Sequence, residues 1–359
     1  MKLVLSLQLR LFLLIQLSTA FVQAQKIALP QEGAFMGAYV DAGGLSDEVR
    51  PHEVKAFEAL IGRPLSWIYF SNNWLNGQII FPKQNVEICR ELGRTPYIRL
   101  MPWSEVSSKG AVDPHFTMDA FLAGKFDSQL SAWAKEAKAL PGPYIFEFGP
   151  EVNGSWFPWN GKWNGGGATR QYGDPRIPDG PEKFKNVYRR VIELFRKEGL
   201  TEVTWVFHID TAKSPHTSWN VAEHYYPGDE YIDWIGLSVF GSQLPTHEWI
   251  EFLPKLKSFW PEIAPIAKRK PVIISEFAVI EDKRNPNRKA QWIQRALRTI
   301  ETGLYPIKGI TYWNSPGWLE DGSADFRITS SQQALNAFTM RLTPDFWKTL
   351  KIDAKEELK

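Results

Sequence analysis

Glu276 closes the apolar run VIISEF, and Glu151 follows a second one, YIFEF, after a Gly149–Pro150 step. A carboxylate at the end of such a run needs a partner or a task, because burying a charge without one is costly. Glu276 either pairs with a neighbour or reacts. Glu151 is followed by Asn153, Trp156, Phe157 and Trp159, so polar donors and aromatic planes crowd around one acid. Other ionisable side chains fall in comparable places. Arg99 lies inside TPYIRLM, His208 and Asp210 end the run EVTWVFHID, and Asp41 follows AFMGAYV.

Two carboxylates opposed across an aromatic-lined cleft suit the cleavage of a glycosidic bond. One protonates the leaving oxygen while the other attacks the anomeric carbon, at a separation of about 5–5.5 Å when configuration is retained. The acid needs a raised pKa, which burial against apolar surface supplies. Glu151, beside the tryptophans, fits the acid, and Glu276 fits the nucleophile.

The elements that must hold them are legible as alternating patterns. Strand-like runs occur at 34–41, 65–70, 95–101, 143–148, 202–208, 231–239, 270–277 and 308–313. Amphipathic helical stretches lie between them, among them SDEVRPHEVKAFEALIG, NVEICRELG, DSQLSAWAKEAKAL, PEKFKNVYRRVIELFRKEG and RKAQWIQRALRTIETG. Such alternation implies parallel strands, and eight repeats predict an α/β fold, a single-domain (β/α)8 barrel. The rival is an open doubly wound sheet, but the turn after the first run reads DAGGLSDE and does not fit G-x-G-x-x-G. In a barrel, reactive groups sit at the carboxyl ends of strands. The fourth and seventh strands face each other across the ring, which brings Glu151 opposite Glu276. Glu147 shares strand parity with Glu151, so it is expected to point inward and pair with Arg99. Residues 153–180 are too long and too rich in Gly, Asn and Trp for a simple connector; such a loop is functional or disordered.

Lys2 and Arg10, a short apolar run and Val22-Gln23-Ala24 read as a secretory signal peptide over 1–24. The barrel is then expected over 25–345, with a final helix and charged tail in TPDFWKTLKIDAKEELK, the tail taken as 346–359. Export to the periplasm or the exterior, without a membrane anchor, is then expected. The single cysteine, Cys89, allows no internal disulfide, so a mature chain of about 335 residues relies on its core. A net charge of +2 with interspersed signs argues against nucleic-acid binding. Aromatics make up 14% of residues, including 16 tryptophans, which serves either a large core or sugar stacking. The six histidines show no metal-ligand spacing, and no G-x-S-x-G turn marks a serine hydrolase.

The run Pro150-Glu151-Val152-Asn153-Gly154-Ser155-Trp156-Phe157-Pro158-Trp159 resembles the H-E-M-N-G-x-W-x-P-W motif of the β-mannanases of glycoside hydrolase family 26, within a clan of retaining barrel enzymes. YPGDEYIDWIG, KPVIISEFA and GITYWN are similar to the family's later strands, so the resemblance spans roughly 143–314 in order. It implies Glu151 as proton donor, Glu276 as nucleophile, Trp156 and Trp313 around the sugar being cleaved, and Asn153 shaping the loop or touching substrate. Trp159 is expected to brace the loop. No metal or organic cofactor is implied, and the partner is a polysaccharide or oligosaccharide met by a monomer. An endo-β-1,4-mannanase is the first expectation. A β-glucan- or β-xylan-cleaving relative and an inactive carbohydrate-binding barrel are the alternatives.

Three positions depart from the family pattern. Pro150 stands where His is usual, Glu147 where Arg is frequent, and Phe240 near a tyrosine that bonds the nucleophile. Another donor is therefore expected to serve Glu276. Arg99, His208 and Phe240 are further candidate substrate contacts, although His208 also suits a structural role. Asp41 and Trp74 are either extensions of the cleft or ordinary loop packing. Asp233, at the start of the sixth strand, belongs to the opposite, stabilising face.

Overall fold

The computed structural model describes residues 26–350 except 43–45, 141, 318 and 320; the expected leader at 1–24 and the chain beyond 350 lie outside the described residues. All eight apolar runs become parallel strands: β1 (Ala34–Val40), β2 (Trp67–Asn73), β3 (Thr95–Met101), β4 (Tyr144–Phe148), β5 (Val203–Asp210), β6 (Trp234–Ser238), β7 (Val272–Phe277) and β8 (Ile307–Asn314). Each pairs with its sequence neighbours, and β1 pairs with both β8 and β2, which closes the ring into a (β/α)8 barrel. The strands are continuous apolar runs because both faces are covered, one by the barrel interior and one by helices.

The helical layer comprises α1 (Pro51–Ile61), α2 (Lys83–Glu91), α3 (Met118–Leu122), α4 (Asp127–Ala139), α5 (Asp179–Lys197), α6 (Ala222–Tyr225), α7 (Phe252–Ala267), α8 (Arg288–Glu301) and α9 (Gln332–Thr339). Helix α5 shows the logic. It buries Phe184, Val187, Tyr188, Val191, Ile192 and Phe195, a single stripe at helical spacing, against the sheet. The least legible long helix is α7, because Pro261 and Pro265 lie inside it. No helix among the described residues is long and apolar enough to cross a membrane.

One indole plugs the floor of the barrel. A Cβ on Gly37 would lie 2.0 Å from Trp67 Nε1, and one on Gly309 would lie 2.6 Å from its ring. Only glycine at those two positions leaves room for Trp67. Its Nε1–H donates to Thr311 Oγ1 at 2.9 Å, and it meets Phe35, Tyr97 and Trp234 in edge or tilted contacts. The layer above it therefore rests on a rigid aromatic base.

The C-terminal segment differs from expectation. Residues 343–350 form no helix; Trp347–Lys348 make a short strand, β9, paired with Ala34 and Phe35 of β1. Trp347 is buried and donates to Arg341 O at 2.9 Å. The segment assigned to a charged tail thus begins as part of the barrel wall, because one apolar anchor outweighs its charged surroundings. Trp347→Ala should lower unfolding free energy by about 3–5 kcal/mol, as for other buried aromatic truncations. Urea denaturation reads this directly, and an unchanged midpoint would return the segment to a solvated tail.

Candidate active site

The chain leaves β4 through two residues in left-handed conformation, Gly149 at φ 56° and Glu151 at φ 52°. A left-handed glutamate is strained, and such strain persists only where surrounding contacts dictate it. Those contacts come from the loop. Trp159 Nε1 donates to Pro150 O at 2.8 Å, Asn160 Nδ2 to Val152 O at 2.7 Å, and Trp163 Nε1 to Ser155 O at 2.9 Å. Asn164 Nδ2 bonds the carbonyls of Pro158 and Asn160. Asparagine and tryptophan N–H groups thus satisfy the loop's backbone carbonyls in place of a sheet or helix. Trp159 is the brace expected of it, stacked on Phe157 at 4.3 Å.

Trp156 performs a different task. Its Nε1–H donates to Glu151 Oε2 at 2.7 Å and orients that acid. Across the ring, Glu276 Oε1 accepts from Arg99 Nη1 at 3.0 Å and from the Tyr69 hydroxyl at 2.9 Å. Glu151, His208 and Glu276 each bring a side-chain oxygen or nitrogen within 4.8 Å of the others. The two expected carboxylates therefore do face each other at close range.

Beneath them lies a buried polar layer. Glu147 points inward as parity required, but its partners are Tyr69 at 2.6 Å, Tyr97 at 2.6 Å and His208 Nδ1 at 3.1 Å. Arg99 forms its ion pair with Glu276, so the expected Arg99–Glu147 pair is replaced. The two residues are only register neighbours on β3 and β4. The missing phenol near Phe240 is also made good, since Tyr69 supplies a hydroxyl from β2.

The electrostatics follow from burial. Desolvation pushes the Glu276 carboxyl up to about 7, with Arg99 opposing that rise and Glu151 adding to it. Burial works against the charged form of His208, yet Glu147 beside it lifts the imidazole to about 9. His208 is then a cation at neutral pH, with Nε2 2.8 Å from Ser238 Oγ. Burial raises the Tyr69 hydroxyl well above its ordinary range, so it stays a donor.

The cleft above the strand ends has a volume of about 1010 Å³. Glu151, Glu276, Arg99, Trp156, Phe240 and Trp313 line it, as does Asp41. Trp313 packs on Tyr39 in a tilted contact at 4.1 Å, and the Arg99 guanidinium lies 4.9 Å over its ring. Its Nε1–H is buried without a hydrogen-bond partner.

Two expected contacts are absent from the lining. Asn153 is fully buried and clamps Asp210, accepting its N–H at 2.8 Å and donating to its carbonyl at 2.7 Å. His208 sits below the cleft and takes the structural option. Trp74 also packs inside, against Phe116, Phe121 and Phe148. Asp233 holds Lys26 and the Trp205 N–H at the other face. Conversely, Tyr39, Tyr69, Trp103 and Lys255 escaped the sequence reading. Tyr39 and Tyr69 carried a signal, a polar tip on an inward strand position. Lys255 came from a helix obscured by prolines.

Arg99→Gln removes the nearest cation from Glu276. Because Arg99 favours the carboxylate, its loss should move the Glu276 titration upward from about 7, by roughly 1–3 units. Arg99→Lys should shift it less. Carbon-13 NMR of labelled glutamate carboxyls across pH reads both, and an unmoved titration would show that Arg99 does not set this ionisation.

The family model for glycosyl hydrolase family 26 matches residues 102–278. Endoglucanase H of Acetivibrio thermocellus is 25% identical over 332 residues, covering 91% of this chain and 32% of that protein. A beta-1,3-xylanase of Alcaligenes sp is 27% identical over 121 residues, 33% of this chain and 21% of that protein. The chain thus spans a third or less of the length of these curated relatives. Among solved structures, the catalytic domain of a Bacillus sp. JAMB-750 endo-beta-1,4-mannanase superposes with a TM-score of 0.62 at 16% identity, covering 89% of this chain and 88% of that one. A beta-mannanase from Bacteroides ovatus gives 0.59 at 14% identity, covering 89% and 91%. The latter two likenesses concern the fold; the matched segment runs from the end of β3 to the end of β7 and holds both facing carboxylates, and over that segment the chain matches glycosyl hydrolase family 26.

Proposed function

We propose that this glycosidase is an exported retaining enzyme that cleaves within a β-linked polysaccharide, with Glu151 as acid/base and Glu276 as nucleophile. The observation that carries the reading is the approach of the two carboxylates to within 4.8 Å in an aromatic-walled cleft. That spacing suits direct attack by one carboxylate; inverting enzymes need about 6.5–9.5 Å to admit a water between them.

Each half-reaction has residues to perform it. Arg99 and Tyr69 hold Glu276 Oε1, which turns Oε2 toward the anomeric carbon. Glu276 attacks there as Glu151 passes its proton to the leaving oxygen, and a glycosyl ester forms. Glu151 then takes a proton from water as that water breaks the ester. Trp156 and Trp313 in the cleft wall supply apolar surface for one sugar ring.

A β-1,4-mannan is our first substrate, following the mannanases that share the fold. A β-glucan is the second, because Endoglucanase H aligns with 91% of the chain. Mannans, β-glucans and β-xylans incubated with the mature protein should show one class shortened internally. Glu276→Ala should reduce that rate by at least about 10³-fold. The wild-type rate should climb as pH rises through about 7, since only ionised Glu276 attacks. Binding without cleavage of any glycan would favour a carbohydrate-binding barrel, and cleavage indifferent to the substitution would remove Glu276 from the role.

A further inference from the structure

We propose that Asp113 positions the proton donor from outside the cleft, by folding the loop after β3 into the support that holds Trp156 against Glu151. The inference rests on the reading of Glu151 as acid/base. Asp113 lies between β3 and α3, is 1% exposed, and stands apart from the cleft lining. Donors from one short segment surround both of its oxygens. Oδ2 accepts from the Ser104 N–H at 2.7 Å and from the Ser108 hydroxyl at 2.8 Å. Oδ1 accepts from the His115 N–H at 2.9 Å and the Phe116 N–H at 2.6 Å, and the Ser104 hydroxyl lies 3.0 Å from it.

One carboxylate thus ties the start, the middle and the end of the loop to a single point. Apolar packing does little of this work. Val106 and Val112 are 47% and 55% exposed, and only the loop's far end is anchored, where Phe116 packs on Trp74, Phe121 and Phe126. The conformation of residues 104–112 therefore depends on Asp113 as an acceptor. Burial pushes its carboxyl up, but the N–H and O–H donors outweigh that and hold it below the usual carboxylate range. Asp113 is an anion at neutral pH, able to accept at both oxygens.

The loop delivers one main-chain bond to the site. Gly110, at φ 77°, donates its N–H to Trp156 O at 2.8 Å. That left-handed turn is one glycine adopts without penalty. The Trp156 ring is seated separately, since a Cβ on Gly154 would lie 2.2 Å from it. Its Nε1–H then donates to Glu151 Oε2 at 2.7 Å, which leaves Oε1 to carry the proton. One tryptophan is therefore held at its carbonyl by the loop after β3 and at its ring by the turn after β4. The same loop brings Trp103 and Lys109 to the cleft wall.

The consequence falls on one step. In the first half-reaction the Glu151 O–H bond breaks and its proton goes to the glycosidic oxygen. That oxygen keeps the electron pair of the broken carbon–oxygen bond, while Glu276 bonds the anomeric carbon. A leaving group that is stable as an anion needs no such proton. Loosening Trp156 misaims the donor, so it harms poor leaving groups and spares good ones. Asp113 is thus a positioning residue acting through Trp156 and Glu151.

Asp113→Asn keeps the shape and turns one acceptor into a donor. The probes are aryl β-mannobiosides and β-cellobiosides carrying either phenol or 2,4-dinitrophenol. On the phenyl substrates kcat/KM should fall by about 10–100-fold, and on the dinitrophenyl substrates by no more than about threefold. Ser108→Ala removes one donor from the middle of the loop and should show the same pattern more weakly, which covers poor folding of the asparagine variant. Independently of activity, hydrogen–deuterium exchange in Asp113→Asn should quicken over residues 104–116 and over 152–160 around Trp156. Equal losses on both leaving groups, no loss on either, or unchanged exchange around Trp156 would overturn the proposal. If Glu151→Gln treats both leaving groups alike while Asp113→Asn still quickens exchange around Trp156, the acid/base reading fails and the loop's hold on Trp156 stands.

Discussion

The Tyr69 hydroxyl carries one hydrogen and lies within hydrogen-bond reach of two carboxylates, 2.6 Å from Glu147 and 2.9 Å from Glu276. It can serve only one at a time. The rest of the site is arranged around that shortage. Tyr97 gives Glu147 a second donor and accepts in turn from the Ser275 hydroxyl. Arg99 steadies Glu276, and His208 steadies Glu147. Two cations therefore balance two deep carboxylates, and Glu151 and Asp210 each line the cleft above. A buried polar layer of this kind holds together only when its members are satisfied jointly. The Trp67 plug beneath it, admitted by Gly37 and Gly309, keeps that layer from sinking into the barrel.

The departures from the family pattern make sense as one rearrangement. Glu147 takes the place of a basic residue, and the positive charge appears instead on the next strand, at Arg99, its register neighbour. Phe240 lacks a phenol, and Tyr69 provides one from the opposite wall. Glu276 thus has a cation and a hydroxyl at hydrogen-bond distance. Pro150 offers no side-chain donor, but its carbonyl anchors Trp159 and so fixes the strained turn into Glu151.

Much of the fold was written in local pattern. Strands buried on both faces must be apolar throughout, and helices on the outside must be amphipathic, so eight strands and the strongest helices could be read directly. The elements that escaped were those whose identity depends on distant partners. β9 is two residues long and exists because β1 offers it an edge. Helix α7 tolerates two internal prolines because its apolar stripe, from Phe252 to Ile266, is buried against the barrel.

The same division holds for the site. Sequence alone determined that Glu151 and Glu276 end facing strands of a barrel, and that Trp156, Trp313, Arg99 and Phe240 stand nearby, because strand order and parity are local properties. It could not decide which charges pair. Arg99 had two carboxylates to choose from, and His208 and Asn153 could turn toward the sugar or away from it. Those choices were made by distances across the ring, among residues as far apart as Arg99 and Glu276, where the deciding quantity is which buried group lacks a partner. Only the assembled barrel settles that, so the tertiary structure placed Asn153 and His208 in support and brought Tyr69 against Glu276.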